Sequence, residues 1–493
     1  MSECRKPVLS RRCLLGVLAL GGVLSGCASV APSSALAPLA VRHGVAQQLT
    51  PAATAAEVQL GIPSRAWWED LGDGRLNTLV RLAMARNPAL QAMLASVQEA
   101  RALAGLAERE ALPQGSLSLQ AQRLQASQAE VNPFLQDLPR PPARTLTSVG
   151  QTVSWELDLF GRAGTASKVA QRQWDAARAD AHAATALLQA EVVRQYVRLR
   201  RSQQETQQLA AEHAVLDQRH TLMQARVDAG LADRREAWVL EAELARLQAE
   251  QAHTLALQHA ARAALAVLAG RAPTQTDAAW ESLMAAAEVP MVPASARLIQ
   301  PSDLLAHRPD VAKADAQLRA SLGNTVLAER AHLPRLSLNM SVGALARPGD
   351  LGSLEALRYG AGPLLQWDWL NMGRAKARAA AAQAGSERAL HHLEQTVLKA
   401  LEDSEGALRA WVAARQAWQQ SRQAEQAARA VADYAAVRAR SGLEPSVQAM
   451  EPQLAYLRAR RQTLAAQAGT VEAFAQVQLA LGAWQPAGDK TTP

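Results

Sequence analysis

Apolar positions recur along this chain with two different periods. After residue 66, Leu76, Leu79, Val80 and Ala83 fall on one face of a helix. Asn87 followed by Pro88 predicts an N-cap and then proline at the first position of a second helix. Near residue 114 the period drops to two. Leu117, Leu119 and Ala121 alternate with Ser116, Ser118, Gln120 and Gln122. Val149, Val153 and Trp155 then alternate with Ser148, Gly150, Thr152 and Ser154. Later, Leu336, Leu338, Met340 and Val342 alternate with Ser337, Asn339 and Ser341, and Tyr359, Ala361, Leu365 and Trp367 follow. This pattern predicts strands with one apolar face and one small or polar face. The loops NPFLQDLPRPP (132–142) and RPGDLG (347–352) make two hairpins of them, at about 114–157 and about 335–369.

Long helical stretches follow each hairpin. Neither Pro nor Gly occurs from Thr165 to Ala229. At about 1.5 Å per residue, such a helix is on the order of 100 Å long. Leu187, Leu188, Glu191, Val192, Gln195, Tyr196 and Leu199 predict a narrow seam of the coiled-coil kind. Turns are predicted at Ala229-Gly230-Leu231 and Ser441-Gly442-Leu443, where glycine suits a tight helix-to-helix connection.

The second half repeats the first. Pro88 and Pro113 are answered by Pro309 and Pro334, both 221 residues on. GQTVSWELDLFGRA (150–163) is answered by GPLLQWDWLNMGRA (362–375) at an offset of 212, which pairs Trp155 with Trp367, Gly161 with Gly373 and Arg162 with Arg374. Gly230 and Gly442 keep that offset. Punctuation held in register over such a span marks an internal duplication. The two arginines are expected to serve the strand-to-helix junctions.

Four strands of about ten residues fit a transmembrane barrel in length and pattern but cannot close one, since the smallest have eight. The chain must therefore oligomerise. The Gly, Ser, Thr and Gln faces suit a wet lumen, and helices this long must project into water.

Composition agrees with long, closely packed helices: 49% of residues are hydrophobic and only 4% aromatic. Lys plus Arg number 52 against 45 for Asp plus Glu, with both signs interspersed, so no basic stripe points to nucleic acid. The N-terminal residues carry Arg5, Lys6, Arg11 and Arg12, then an apolar run too short for a comfortable membrane span. Cys4 and Cys13 lie in this expected signal peptide, leaving Cys27 alone in the mature chain. One cysteine supports neither a disulfide within the chain nor a thiolate metal site. No cofactor is expected. GxxxxGK[ST], HExxH and GxSxG are absent, so no enzyme activity is expected either. His391-His392 diverge on a helix, and His213 and His220 lack a carboxylate-rich ligand set; all four read as surface histidines.

Leu24-Ser25-Gly26-Cys27 resembles a bacterial lipobox, which implies a lipidated Cys27, with Ala28 favouring the outer membrane. From about 60 to 484 the chain resembles the outer-membrane factor family of TolC-like channels. It resembles most the lipoprotein branch that works with resistance-nodulation-division efflux pumps. The resemblance rests on Trp67-Trp68 with LGDGRLNTLV, Asn87-Pro88, WELDLFGR with its NMGR echo, the two Gly-Leu turns, the duplication and the lipobox. It implies a mainly α protein with a small β part. A trimeric twelve-stranded outer-membrane β-barrel, four strands per chain, would continue into a periplasmic coiled-coil α-barrel. It further implies a periplasmic membrane-fusion adaptor and an inner-membrane pump as partners, with small toxic solutes passing to the exterior.

The tips Gly230-Leu231-Ala232 and Gly442-Leu443-Glu444 match the family's adaptor-docking end. Family gate acids map to Glu236, Gln448 and Glu451, where Gln448 departs from the pattern. Three copies of Glu451 near one axis would repel one another when ionised and attract cations. Glu444 stands where some members have a basic residue, and Pro452 is expected to kink the returning helix.

The expected organisation is a signal peptide at 1–26, a lipidated tether at 27–62, repeats at 63–280 and 281–484, and a tail at 485–493. Two other readings stand beside an efflux channel: a channel for type I protein secretion, and a periplasmic coiled-coil structural lipoprotein without a pore.

Overall fold

The computed structural model describes residues 59–60, 66–125, 142–292, 297–298 and 307–482. Cys27, the signal peptide, most of the tether, the tail and most of the first hairpin loop lie outside the described residues. The element order begins with β1 (Gln59–Leu60), α1 (Gly74–Arg86), α2 (Pro88–Glu110), β2 (Gln114–Leu124) and β3 (Arg144–Leu157). Next come α3 (Arg162–Asp228), α4 (Arg234–Leu268), α5 (Ala278–Met284) and β4 (Arg297–Leu298). The chain ends with α6 (Pro309–Glu329), β5 (Arg335–Ala346), β6 (Leu357–Gln366), α7 (Met372–Arg440) and α8 (Ser446–Ala480). Thus α2-β2-β3-α3-α4 recurs as α6-β5-β6-α7-α8. The long helices have 67 and 69 residues, and the returning helices have 35 each.

The four long strands form one antiparallel sheet in the order β2-β3-β5-β6, so the two hairpins join through β3 and β5. The short β1 pairs in parallel with β4. Above the middle of the molecule α3 packs on α2 and α6, and α6 packs on α7. Below it, α4, α3, α8 and α7 are neighbours in that order. Each level therefore presents four helical strands.

The ends of the helices explain why both repeats fold alike. Gly230 and Gly442 both have φ of +72°. Leu231 N–H donates to the Arg226 carbonyl (2.8 Å) and Leu443 N–H to the Arg438 carbonyl (2.9 Å), closing each long helix with the same six-residue motif. Gly270 (φ +69°) and Gly482 (φ +64°) end the returning helices. There the chain also passes against the start of another helix. A Cβ on Gly270 would run into the Arg86 carbonyl, and one on Gly482 would come within 2.9 Å of the His307 carbonyl. The next residue bridges the gap each time: Asn87 Nδ2 donates to the Leu268 carbonyl (3.0 Å) and Arg308 Nη1 to the Ala480 carbonyl (2.7 Å). Asn87 is also the expected N-cap, accepting from Leu90 N–H at 3.0 Å.

Leu76, Leu79, Val80 and Ala83 are all buried, as their spacing predicts. Trp67 and Trp68 are buried too; Trp67 and Trp411 each make an edge contact with Phe474 at 5.8 and 5.1 Å, tying the N-terminal turn to α7 and α8. The expected seam of α3 is shifted. Leu188, Val192, Tyr196 and Leu199 are buried, but Leu187 is exposed and Val193 and Val197 take the inner positions. Glu191 is instead bonded along its own helix by Arg194 and Gln195. The helix here has partners on more than one side, so its buried stripe is wider than a two-strand seam. Arg200 is fully buried and donates to the Leu283 and Ala285 carbonyls (2.6 and 2.5 Å), fixing the end of α5. It lies over the Tyr196 ring, whose hydroxyl donates to Asp73, the N-cap of α1. α8 runs on through Pro452, so no break occurs there.

Gly270→Ala therefore combines a left-handed backbone with a collision. Gly230→Ala has the same φ sign but open space around its Cβ. The left-handed penalty alone is about 1–2 kcal/mol. Gly270→Ala should lower the melting temperature of the purified protein clearly more than Gly230→Ala. Equal shifts would contradict the close approach at Arg86.

Candidate functional site

Two regions are built as functional surfaces, the sheet and the helical tips. In the sheet, register places Leu119, Val149, Ala344 and Leu357 in one row, and Gln151, Val342 and Tyr359 in another, all on a single face. That face is mostly apolar, with Gln151 and Arg123 among the exceptions, and Leu117 and Leu119 on it are 77% and 74% accessible. Ser116, Thr152 and Ser341 share a row on the other face, as do Ser118, Gly150 and Gly343. Ser116 and Thr152 hydroxyls meet at 2.8 Å across the hairpin. A concavity of about 510 Å³ lies against Thr152, Ser154, Asn339, Ser341, Gly360 and Gly362. The two faces thus match lipid on one side and water on the other.

Both hairpins are seated on the helices by the same contact. The Trp155 indole N–H donates to the Ala111 carbonyl and the Trp367 indole N–H to the His332 carbonyl, each at 3.1 Å. These indoles satisfy carbonyls left free at helix ends. Trp367 lies just past β6, so this strand ends at Gln366, earlier than the alternation suggests. The paired arginines differ. Arg162 holds Glu156 through two hydrogen bonds of 2.9 and 2.6 Å, a geometry that raises the Arg162 pKa further. Arg374 is exposed and makes no ion pair among the described residues. Within one chain, the junction role expected of both arginines is seen for Arg162 alone.

At the tips, Leu231 and Leu443 are 70% and 68% exposed, two equivalent apolar knobs beside Gly230 and Gly442. Ala232 is half-buried against the apolar cluster that includes Leu216, Met223, Leu240 and Leu454. Of the three expected gate positions, Gln448 and Glu451 lie three apart on α8 and Glu236 stands on α4. Glu236 is exposed in the first turn of α4, without an ion pair among the described residues, and Gln448 is exposed in the first turn of α8. Glu451 is bound to Arg219 of α3, so its carboxylate has a cationic partner rather than standing bare. Glu444 reaches back across its turn to Arg438 at 3.3 Å.

Sequence reasoning missed the ion pairs above the tip. Arg458 of α8 pairs with Glu243 of α4, and Arg461 pairs with Glu250 of α4 and Glu212 of α3. Burial pushes the Glu212 carboxyl up, opposed by the nearby Arg461 and Arg458 guanidinium groups. Arg458 and Arg461 lie three apart, on one face of α8, which is the only local sign of such a row. Their acids are more than 200 residues away. His391 contacts Glu394 and His213 contacts Gln248, both within the protein. No helix among the described residues is long and apolar enough to cross a membrane, and no group of three or more His, Cys, Asp or Glu there could hold a metal.

The outer membrane efflux protein model matches residues 79–271 and 300–483. The chain is 30% identical over 402 residues to the fusaric acid resistance protein FusA of Burkholderia cepacia, covering 77% of this chain and 71% of that protein. It is 28% identical over 491 residues to the outer membrane protein OprJ of Pseudomonas aeruginosa, covering 97% and 95%. Among solved structures, the outer-membrane channel OprN superposes with a TM-score of 0.78 at 25% identity, covering 88% of this chain and 95% of that one. The CmeC outer membrane channel of Campylobacter jejuni gives 0.75 at 18% identity over 86% and 89%, a likeness of fold. With both repeats matched and the channel fold present, the chain belongs to the outer membrane efflux protein family.

Proposed function

We propose that three copies of this chain close one outer-membrane channel, which takes small toxic solutes from a periplasmic adaptor and an inner-membrane resistance-nodulation-division pump to the exterior. The observation that carries this reading is the pair of unfilled edges. β2 and β6 end the sheet, and among the described residues each has one side without a partner strand. The helices at the lower edges, α4 and α7, expose Trp238 and Val239 on one side and Val431, Tyr434 and Val437 on the other. Joining β6 of one copy to β2 of the next continues the sheet, and it brings α7 of the first beside α4 of the second. Three copies then give twelve strands and twelve helical strands at each level. Solute reaches the channel from the inner-membrane pump through the adaptor, so the channel itself needs no energy source. Relatives named for fusaric acid resistance, pyoverdine export and toluene efflux support small solutes as the cargo.

Lipidation at Cys27 accounts for the lipobox and for the lone mature cysteine. Two or more acyl chains hold a protein stably at a membrane, at about 0.8 kcal/mol per buried CH₂. The exposed Leu231 and Leu443 knobs, with Gly230, Ala232, Gly442 and Glu444, are the docking surface for the adaptor. Glu236, Gln448 and Glu451 guard the periplasmic opening. The Arg219–Glu451 pair holds α8 against α3 there and must loosen when the tip opens. Both side chains are partly exposed, so one such pair contributes only about 0.2–1 kcal/mol.

Radiolabelled palmitate should enter the wild-type protein and not Cys27→Ser; equal labelling would remove the lipid anchor. Purified protein in planar bilayers should show discrete conducting channels, and their absence would sink the channel reading. Arg219→Gln and Glu451→Gln should each raise the open fraction by roughly two- to fivefold. The double variant should add little to either. Unchanged gating in both would take this pair out of the closing mechanism.

A further inference from the structure

The geometry points to a barrel lumen that favours anions, set by Arg144, Arg335 and Arg358. This inference rests on the channel reading above and adds a class of solute to it.

The four long strands contain five charged residues: Arg123, Arg144, Glu156, Arg335 and Arg358. Register assigns each to a face. Arg358 pairs with Gly343, which pairs with Gly150, on the face of Ser118 and Thr152. Arg144 and Arg335 have the parity of that same polar face, as does Glu156 opposite Ser337. Arg123 lies opposite Thr145 on the apolar face. The one acid on the polar face is already neutralised, because Arg162 takes both carboxylate oxygens of Glu156. The three arginines are exposed and make no ion pair among the described residues. The rest of that face is mostly Ser, Thr, Asn, Gln and Gly, which carry no charge.

The lumen charge of the barrel is therefore positive in every copy, and symmetry repeats it around the axis. Arg144, first in β3, and Arg358, second in β6, lie at the loop end of the sheet, and Arg335 begins β5 at the helix end. Arginine stays protonated at any physiological pH. Rings of fixed cations in a narrow wet pore raise the local concentration of anions, and salt weakens the effect over a Debye length of about 10 Å at 0.1 M. Small organic anions such as carboxylates are the class so favoured.

The test compares reversal potentials of reconstituted channels in a potassium chloride gradient. The variants are Arg144→Gln/Arg335→Gln/Arg358→Gln and the charge-retaining Arg144→Lys/Arg335→Lys/Arg358→Lys. All share one tip, so any difference belongs to the barrel. The glutamine variant should lower the chloride-to-potassium permeability ratio by roughly two- to tenfold, less at high salt. The lysine variant should keep the wild-type ratio. Conducting channels with the same ratio in all three would overturn the inference while leaving the channel intact. A wild type that does not conduct at all would overturn the channel itself.

Discussion

A strand edge placed in hydrocarbon must find hydrogen-bond partners, and this chain carries two such edges that it cannot join to each other. Each unsatisfied backbone group in lipid costs several kcal/mol. Four strands are half the number in the smallest closed barrel. The apolar face of the sheet makes the demand unavoidable, because Leu117, Leu119, Val342 and Tyr359 suit lipid and not water. Everything below follows from closing that sheet with further copies. The helices must then stand in a ring, four per copy at each level, and the edge helices must meet across copies.

The duplication is the economical way to build such an object. One unit supplies a hairpin, a long helix and a return, and the second repeats it with matching joints. The joints are small: a glycine with positive φ at each turn, an indole N–H on a helix-end carbonyl, a side chain bridging to the end of the returning helix. Where the repeats differ, the chemistry is specialised. Asn87 and Arg308 make the same bridge with different groups. Arg162 closes on Glu156, whereas Arg374 stays free of ion pairs among the described residues. Tyr196 and Arg200 tie α3 to α1 and α5, while Leu408 and Val412 stand at the matching positions of α7.

Much of this was legible in the sequence because it is local. Period-two alternation needs only neighbours, and so it gave both hairpins and both sheet faces. Glycine and proline mark turns and caps directly, so Asn87, Gly230 and Gly442 fell where expected. The inner stripe of α3 was read too narrowly, because Leu187 and Val193 are sorted by which other helices surround them. The pairs Arg458–Glu243, Arg461–Glu250 and Arg219–Glu451 join residues more than 200 positions apart, so the spacing of Arg458 and Arg461 along α8 marks a row but not its partners. For the same reason the Arg219 partner of Glu451 emerges only from the packing of α3 beside α8.

Crosslinking of the two edge strands tests the central claim most directly. Single cysteines would be placed along β2 and β6 in a panel of pairs, oxidised in intact outer membranes, and read by denaturing electrophoresis. A closed ring of three predicts a ladder that stops at a covalent trimer, formed only by pairs facing each other across the copies. A ladder that ends at a dimer, runs on past three, or never rises above the monomer would contradict it.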